Sequence, residues 1–305
     1  MRSRQIAIIT DEPGWHGAQL RKAFATHGHA CRFVSLTDCG FDLKSSRFGV
    51  CVPGFQRQLP AGVFVRGVPG GSLEQVVLYL DVLHALRELG VVVYNDARAI
   101  ERTVDKAMTS FLLRRAGVPT PPTWVTSDPR RLRELLVREL ASGHELVLKP
   151  LFGSQGLGLR RINNPDALTE LEHCNGVFYA QRFIDRGKDN WHDWRVFVIG
   201  GHAVAAMRRT GSSWISNVAN GARCQPAVLD EALRDLAERA VKIIGISYAG
   251  VDILRDREGH MRVVEVNSIP AWKGLQGTCN CVIAELLVDD FLRACDQHGC
   301  MEIAG

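Results

Sequence analysis

Val263–Leu275 reads VVEVNSIPAWKGL: an apolar strand with a carboxylate, Glu265, and an amide, Asn267, at its centre. Strand side chains repeat with period two, so Glu265 and Asn267 share one face, and Val264 and Val266 are expected on the other. Two polar groups on a strand that otherwise reads as buried require a polar partner on that face. Pro270 ends the strand, and Trp272 and Lys273 follow it. Upstream, "GVDILRD" at 250–256 and the turn "RDREGH" lead into this strand. Antiparallel pairing of the two would stand Asp252 beside Glu265. Two carboxylates and an amide oxygen on one face suit a hard divalent cation, because magnesium takes oxygen ligands and leaves positions for phosphate oxygens. Without a cation, two such acids at close range repel and one pKa rises. Two unrelated surface acids would also satisfy the pattern, but the apolar flanks weigh against that reading.

A second constellation lies at 146–162, "LVLKPLFGSQGLGLRRI". The strand ends in Lys149, and Gly153, Gly156 and Gly158 allow backbone amides to approach an anion, with Ser154 and Gln155 as further donors. The lysine adds a point charge for phosphate. It precedes the glycines, so the loop is not a G-x-x-x-x-G-K-[ST] phosphate loop. Taken alone, a flexible hairpin tip with an edge lysine fits equally well. A third lies at 192–210, "HDWRVFVIGGHAVAAMRRT". A hairpin turning symmetrically at Gly200-Gly201 pairs 195 with 206 and 193 with 208. Asp193, Arg195 and Arg208 then share a face, with Arg209 on the other. Such arginines bind phosphate or carboxylate in bidentate fashion, or form a surface pair of little consequence.

The rest of the chain sets the frame. Strands "QIAIIT", "ACRFVSL", "GVFVRGV" and "VVVYND" alternate with helices, which implies a parallel sheet with crossovers and a Rossmann-like domain at 1–97. Its first turn, "DEPGWHGAQ", lacks G-x-G-x-x-G, so neither a dinucleotide nor an oxidoreductase is assigned. "TVDKAMTSFLLRRAG" at 103–117 reads as one helix capped by Thr103. Val104, Met108, Phe111 and Leu112 are expected on its buried face, and Lys106 on the opposite, solvated side. Downstream, antiparallel pairs mix with helices in an α+β pattern, for a chain that is α/β plus α+β.

With 305 residues, 46% hydrophobic and 23% charged, the chain has the size for two or three domains and an ordinary globular composition. A net charge of +4 is too mild to argue for nucleic acid. No segment has the length of a membrane span, and the first residues do not read as a signal peptide. Nine cysteines without a framework of spacings point to a reducing compartment, the cytoplasm. The Cys279-x-Cys281 pair has no second pair at metal-binding spacing, so buried free thiols are expected there.

In order, these pieces are Lys106, "LKPLFGSQGLGL", "QRF", "DWRVFVIGGHAVAAMRRT", "AGVDIL" and "VEVNSIP". That order resembles the ATP-grasp ligases, and among them the RimK-like glutamate ligases, from about Val65 through Asn95-Asp96 to Gly274. The ordered set is specific; no single motif is. The resemblance implies an ATP-grasp fold with an N-terminal Rossmann-like domain (1–97), a central domain (98–180) and a C-terminal antiparallel-sheet domain carrying the metal (181–305). It implies ATP and magnesium, or manganese, as cofactors. Lys106, Lys149, Gly153, Ser154, Gln155 and Gly156 would then contact the nucleotide phosphates. Gln181, Arg182 and Phe183 would offer backbone to adenine, with Asp189 also among the nucleotide contacts. Asp252, Glu265 and Asn267 would hold the metal, and Arg195, Arg208 and Asn217 (in "SNVANGA") would lie near the transferred phosphoryl group and the substrate.

The sequence departs from the family pattern in four places, of which the Trp272-Lys273 segment bears on the acceptor side. Arg182 stands where many relatives have an acid, Ile215 where arginine is common, and Ala222 where a second glycine is common. "PAWKGL" replaces the more usual "PGLEG". Some RimK-like members glutamylate coenzymes such as tetrahydromethanopterin or methanofuran, and a Trp-Lys pair suits a flat, acidic coenzyme. The resemblance implies a carboxylate–amine ligase that passes through an acylphosphate, with a coenzyme, small molecule or peptide as acceptor and L-glutamate as amine, in a homo-oligomer without nucleic-acid or membrane partners. Another amino acid, or a protein acceptor, stays open. A nucleotide-binding module without catalysis is the alternative from another class, and the complete Asp252, Glu265, Asn267 set argues against it.

Overall fold

Strand β1 (Gln5–Ile9) buries four consecutive residues, Ile6 to Ile9. Continuous burial without alternation marks a strand covered on both faces, as parallel sheets are. The structure, a computed structural model, describes residues 4–153, 156–164, 175–187 and 191–303. It divides into two units: Met1–Ile100 with Ile246–Tyr248 and Ser268–Gly305, and Glu101–Gly245 with Ala249–Asn267.

In the first unit, helix α1 (Gly14–Thr26) follows β1 and buries Gly17, Leu20, Ala23 and Phe24, one face at helical spacing. Then come β2 (Ala30–Val34), a short hairpin of β3 (Gly40–Phe41) and β4 (Val50–Cys51), and β5 (Gly62–Val65). Helix α2 (Leu73–Glu88) starts at a capping box: Gln75 N donates to Ser72 Oγ, and Ser72 N donates to Gln75 Oε1. Strand β6 (Val93–Tyr94) completes a parallel sheet in the order β2-β1-β5-β6. The four strands expected from the alternating pattern are the four observed. The β3–β4 hairpin was not expected; at two residues a strand it carries no periodicity to read.

Past β6, the buried Asn95 gathers a distant part of the same unit. Its Nδ2 donates to Tyr248 O (2.8 Å) and Ser268 O (2.6 Å), and its Oδ1 accepts from the amides of Ser247 and Tyr248. Tyr248 then stacks on Tyr94 and Phe64, with ring centroids 5.3 and 5.4 Å away. Asn95→Ala leaves buried amides and carbonyls without partners, and thermal denaturation should show a loss of about 2 kcal/mol.

The second unit begins within helix α3 (Ala97–Val104) and continues with α4 (Lys106–Arg115). The single helix expected over 103–117 is two. Asp105 breaks it by capping α4, its carboxylate accepting from the amides of Ala107 and Met108. The new start rotates the faces: Thr109 and Leu113 are buried and Lys106 is half-buried, whereas Val104, Met108 and Phe111 are exposed. The expected buried face was therefore wrong.

Strands β7 (Thr123–Thr126), β8 (Leu146–Lys149), β9 (Arg160–Ile162) and β10 (Phe178–Arg182) form an antiparallel sheet in the order β7-β10-β8-β9. Helix α5 (Pro129–Ala141), capped by Asp128, packs Leu132 and Leu136 against Leu146, Leu148 and Ala180 of that sheet. A second sheet, β13-β12-β11-β14-β15, uses β11 (His192–Ile199), β12 (His202–Thr210), β13 (Arg223–Pro226), β14 (Tyr248–Arg255) and β15 (Met261–Asn267). Helix α6 (Glu231–Ile244) lies between β13 and β14 in sequence and ends at Gly245, whose φ of 74° is the left-handed conformation of a helix C-terminus. Beyond β15 the chain returns to the first unit with α7 (Lys273–Gln276) and α8 (Ile283–Ile303). Trp272, expected to be presented at a pocket, is 0% exposed. No helix among the described residues is long and apolar enough to cross a membrane.

Candidate functional site

A cavity in the second unit is lined by Lys106, Lys149 and Glu265, with Gly153 and Gly156 of the glycine loop and apolar Leu159 and Val264. Each charged group arrives from a different element: Lys106 opens α4, Lys149 ends β8, and Glu265 stands on β15. Gly153, Gly156 and Gly158 have φ values of 146°, 72° and 73°, so this turn needs glycine at all three. Lys106 Nζ donates to Gly153 O (2.8 Å) and Leu151 O (3.4 Å), which ties the loop to α4. Ser154, Gln155 and Asp189 lie outside the described residues.

Lys149 Nζ donates to Gln181 Oε1 at 2.7 Å, and Gln181 Nε2 donates to Thr123 Oγ1 and Tyr179 Oη, both at 3.0 Å. Gln181 therefore enters the site through its side chain, by orienting the lysine. Burial lowers the Lys149 pKa to about 8, with Lys106 adding to the fall and Glu265 and Asp252 opposing it. Burial also lowers the Lys106 pKa, against Glu265 and Asp105. Two ammonium groups held with one carboxylate suit a polyanion such as a triphosphate.

The pairing expected of the metal strand is present: Asp252 on β14 stands opposite Glu265 on β15. A bulge follows at once, since Ile253 pairs with Val263 and leaves Val264 as the extra residue. Val264 consequently lines the cavity beside Glu265, not the opposite face as expected. Asn267 Nδ2 donates to Gly250 O (3.2 Å), which leaves Oδ1 as its donor atom for a ligand. The carboxylate of Glu265 and this amide oxygen are hard donors that fit a magnesium ion. Asp252 is held differently. Arg195 grips both its oxygens, through Nε and, at 2.8 Å, Nη2, and Arg209 Nη2 lies 3.0 Å from Oδ2. Burial pushes the Asp252 pKa up, but Arg195 and Arg209 outweigh it and hold the acid ionised.

The hairpin register differs from the symmetric one. Asp193 pairs with Arg209, Trp194 with Arg208 and Arg195 with Met207, because a bulge at Phe197/Val198 shifts the pairing by one residue. One step exchanges faces. Arg209 is thus the buried arginine, its Nε 2.7 Å and Nη2 2.9 Å from the Asp193 carboxylate. Arg208 is exposed and donates to Gln225 Oε1 at 3.0 Å. Sequence reasoning set Arg209 aside; with two arginines in succession, only the register tells which one faces inward.

The remaining expected residues are not gathered at the cavity. The Arg182 side chain pairs with Glu139 (2.7 Å), and the amides of Arg182 and Phe183 donate to the carbonyls of Pro122 and Glu145. Phe183 packs edge-on against Trp191 and Trp214, beneath the Arg161 guanidinium at 4.0 Å. Asn217 is half-buried, and its carbonyl accepts from Ala222 N. Cys279 and Cys281 are half-buried free thiols with Sγ atoms 3.6 Å apart; burial pushes the Cys279 thiol up to about 11.

Known proteins resemble this chain in sequence and in fold. The model of the RimK-like ATP-grasp domain matches residues 103–291. The tetrahydromethanopterin:alpha-L-glutamate ligase of Methanococcus maripaludis is 32% identical over 241 residues, 77% of this chain and 80% of that one. A probable alpha-L-glutamate ligase of Saccharophagus degradans is 30% identical over 293 residues, 93% of this chain and 94% of that one. In fold, the chain resembles the ATP-grasp ligase PsnB complexed with minimal precursor, with a TM-score of 0.74 at 23% identity, covering 96% of this chain and 99% of that one. It also resembles a RimK domain ATP-grasp protein from Sphaerobacter thermophilus, with a TM-score of 0.71 at 19% identity, covering 94% and 99%. The chain belongs to the RimK-like ATP-grasp family of ligases.

Proposed function

We propose that this protein is an ATP-dependent carboxylate–amine ligase that joins an amino acid, L-glutamate, to a carboxylate of a small molecule or peptide. The observation that carries the reading is the meeting of Lys106, Lys149 and Glu265 in one cavity, with Asp252 in register beside Glu265. The two sequence relatives support the choice of amine: one is named an alpha-L-glutamate ligase and the other a probable alpha-L-glutamate ligase.

In the first step a carboxylate oxygen of the acceptor attacks the γ-phosphorus of ATP, and the bond to the ADP oxygen breaks. In the second, the amine attacks the acyl carbon, phosphate leaves, and the amine proton passes to solvent as the amide forms. Lys106 and Lys149 neutralise the charge that moves onto the phosphate oxygens. Gln181 holds Lys149 in place for that task. Glu265 and Asn267, with Asp252, are the residues that would hold magnesium. When bound, that ion would draw charge from the phosphate oxygens and fix their geometry. Arg195 and Arg209 keep Asp252 ionised until it is needed as a ligand. The glycine loop, tied by Lys106, is placed to exclude water that would hydrolyse an acylphosphate.

Mass spectrometry of products from ATP, magnesium, glutamate and a cell extract tests the reading. A glutamyl mass gain on an extract component is expected; ATP turnover without any amide product would overturn it.

Lys149 supplies a second test. Its charged form lies below a pKa of about 8, so kcat/KM for ATP should fall as pH rises through that value. Lys149→Arg stays charged and should remove the fall. Lys149→Ala should raise the KM for ATP by roughly 10–100-fold. Steady-state kinetics from pH 6.5 to 9.5, a range of roughly three units around this pKa, decide the matter, and unchanged nucleotide kinetics in Lys149→Ala would remove the lysine from the site.

A further inference from the structure

The phosphate chemistry of the second unit makes no use of a thiol pair in the first. Cys279 and Cys281 stand between α7 and α8 and meet through their sulfurs. Cys281 Sγ lies 3.6 Å from Cys279 Sγ, and Cys279 Sγ also donates to Cys281 O at 3.6 Å. Both residues are half-buried, and Asn280 between them is exposed, so the turn faces solvent.

Hydrogen bonds on either side hold this turn in place. Thr278 N and Oγ1 donate to Leu275 O at 2.8 and 2.9 Å. Gln276 Nε2 donates to Cys281 O at 2.8 Å, and Ile283 N donates to Gln276 Oε1 at 3.0 Å. The fold thus brings the two thiols together before any bond forms. A disulfide needs its sulfurs about 2 Å apart, which leaves about 1.5 Å to close. Cys39 and Cys295 differ: both are buried, and burial pushes their thiols up to about 12, so they are inert.

We propose that Cys279 and Cys281 form a reversible dithiol–disulfide site, closed by a small-molecule disulfide such as oxidised glutathione and reopened by the corresponding thiol. The site stands whether or not the protein is a ligase. Burial, and then the neighbouring Cys281 thiol, push the Cys279 thiol up to about 11, so Cys281 reacts first. Its thiolate attacks one sulfur of oxidised glutathione, forming a mixed disulfide and releasing one glutathione thiolate. Cys281 then no longer raises the Cys279 pKa. Cys279 attacks the Cys281 sulfur, the second glutathione thiolate leaves, and the two protein thiol protons pass to the departing thiolates through solvent. Two electrons move from the protein to glutathione.

The test uses the full chain with a chelator present, in buffers of varied oxidised and reduced glutathione, followed by acid quench, alkylation and trypsin. The tryptic peptide 274–293 holds both thiols and no other cysteine. In excess oxidised glutathione this peptide should lose two hydrogens and refuse alkylation. Excess reduced thiol should restore two alkylated cysteines. Cys279→Ser should instead retain a stable glutathione adduct on Cys281, because nothing displaces it. Closure should need roughly tenfold more oxidised glutathione in denaturant than in the native protein, since only the fold holds the sulfurs together. Full alkylation of the native peptide in excess oxidised glutathione, a glutathione adduct that persists on the wild type, or equal closure with and without denaturant would overturn the site.

Discussion

Replacing Glu265 with alanine should lower ATP turnover by roughly 10³-fold and leave the protein folded. Glu265 is half-buried, and its neighbours Val263 and Val266, which are 0% and 1% exposed, carry the packing of β15. Stability should therefore change little. Function should change greatly, for two additive reasons. The variant loses a hard oxygen donor from the set that fits magnesium. It also loses the carboxylate that raises the pKa of both cavity lysines. Without that carboxylate, Lys149 gives up its proton at a lower pH, so less of it is charged at neutrality. Glu265→Gln keeps the volume and removes the charge, and should behave like the alanine variant. Rates measured across magnesium concentrations, beside thermal denaturation, test the assignment. Full turnover at saturating magnesium would remove Glu265 from the site.

What could be read in advance, and what could not, divides along a physical line. The parallel sheet of the first unit was legible because each strand is an apolar run flanked by turn and helix signals. The Asp252–Glu265 pairing was legible because the turn separating the two strands is short. Each error lies at an irregularity that side-chain periodicity does not record. A single extra residue in β12 exchanged Arg208 for Arg209. A single extra residue in β15 brought Val264 into the cavity. A β-bulge depends on how two strands meet, so neither strand announces it alone. Asp105 is a different case: its capping role could have been read, but the apolar residues on either side suggested one continuous helix. The cost of that reading was the inward position of Lys106.

Arg209→Met should be the most destabilising of the substitutions considered. The side chain of Arg209 is 5% exposed and faces two acids, Asp193 and Asp252, whose side chains are 11% and 8% exposed. Arg195 also holds Asp252, and Ser216 Oγ donates to Asp193 Oδ2 at 3.1 Å, so the acids do not lose every partner. Asp193 nevertheless loses its only ion-pair partner among the described residues. Breaking a buried pair from one side costs about 3–5 kcal/mol, which in a unit of this size lowers Tm by about 10 °C. The effect should depend on pH. Burial already raises the Asp193 pKa against the pull of Arg209, and losing the arginine raises it further. A folded-state pKa above the unfolded value means stability is fully present below the unfolded pKa and is lost as pH rises through the folded one. The deficit of Arg209→Met should therefore be small near pH 4 and grow towards pH 7. Asp193→Asn, added to Arg209→Met, removes the stranded charge and should restore about half of the loss at pH 7, a coupling that a double-mutant cycle measures directly. A deficit that is independent of pH, or strictly additive effects of the two substitutions, would show that the Arg209–Asp193 pair is not what holds this face of the sheet.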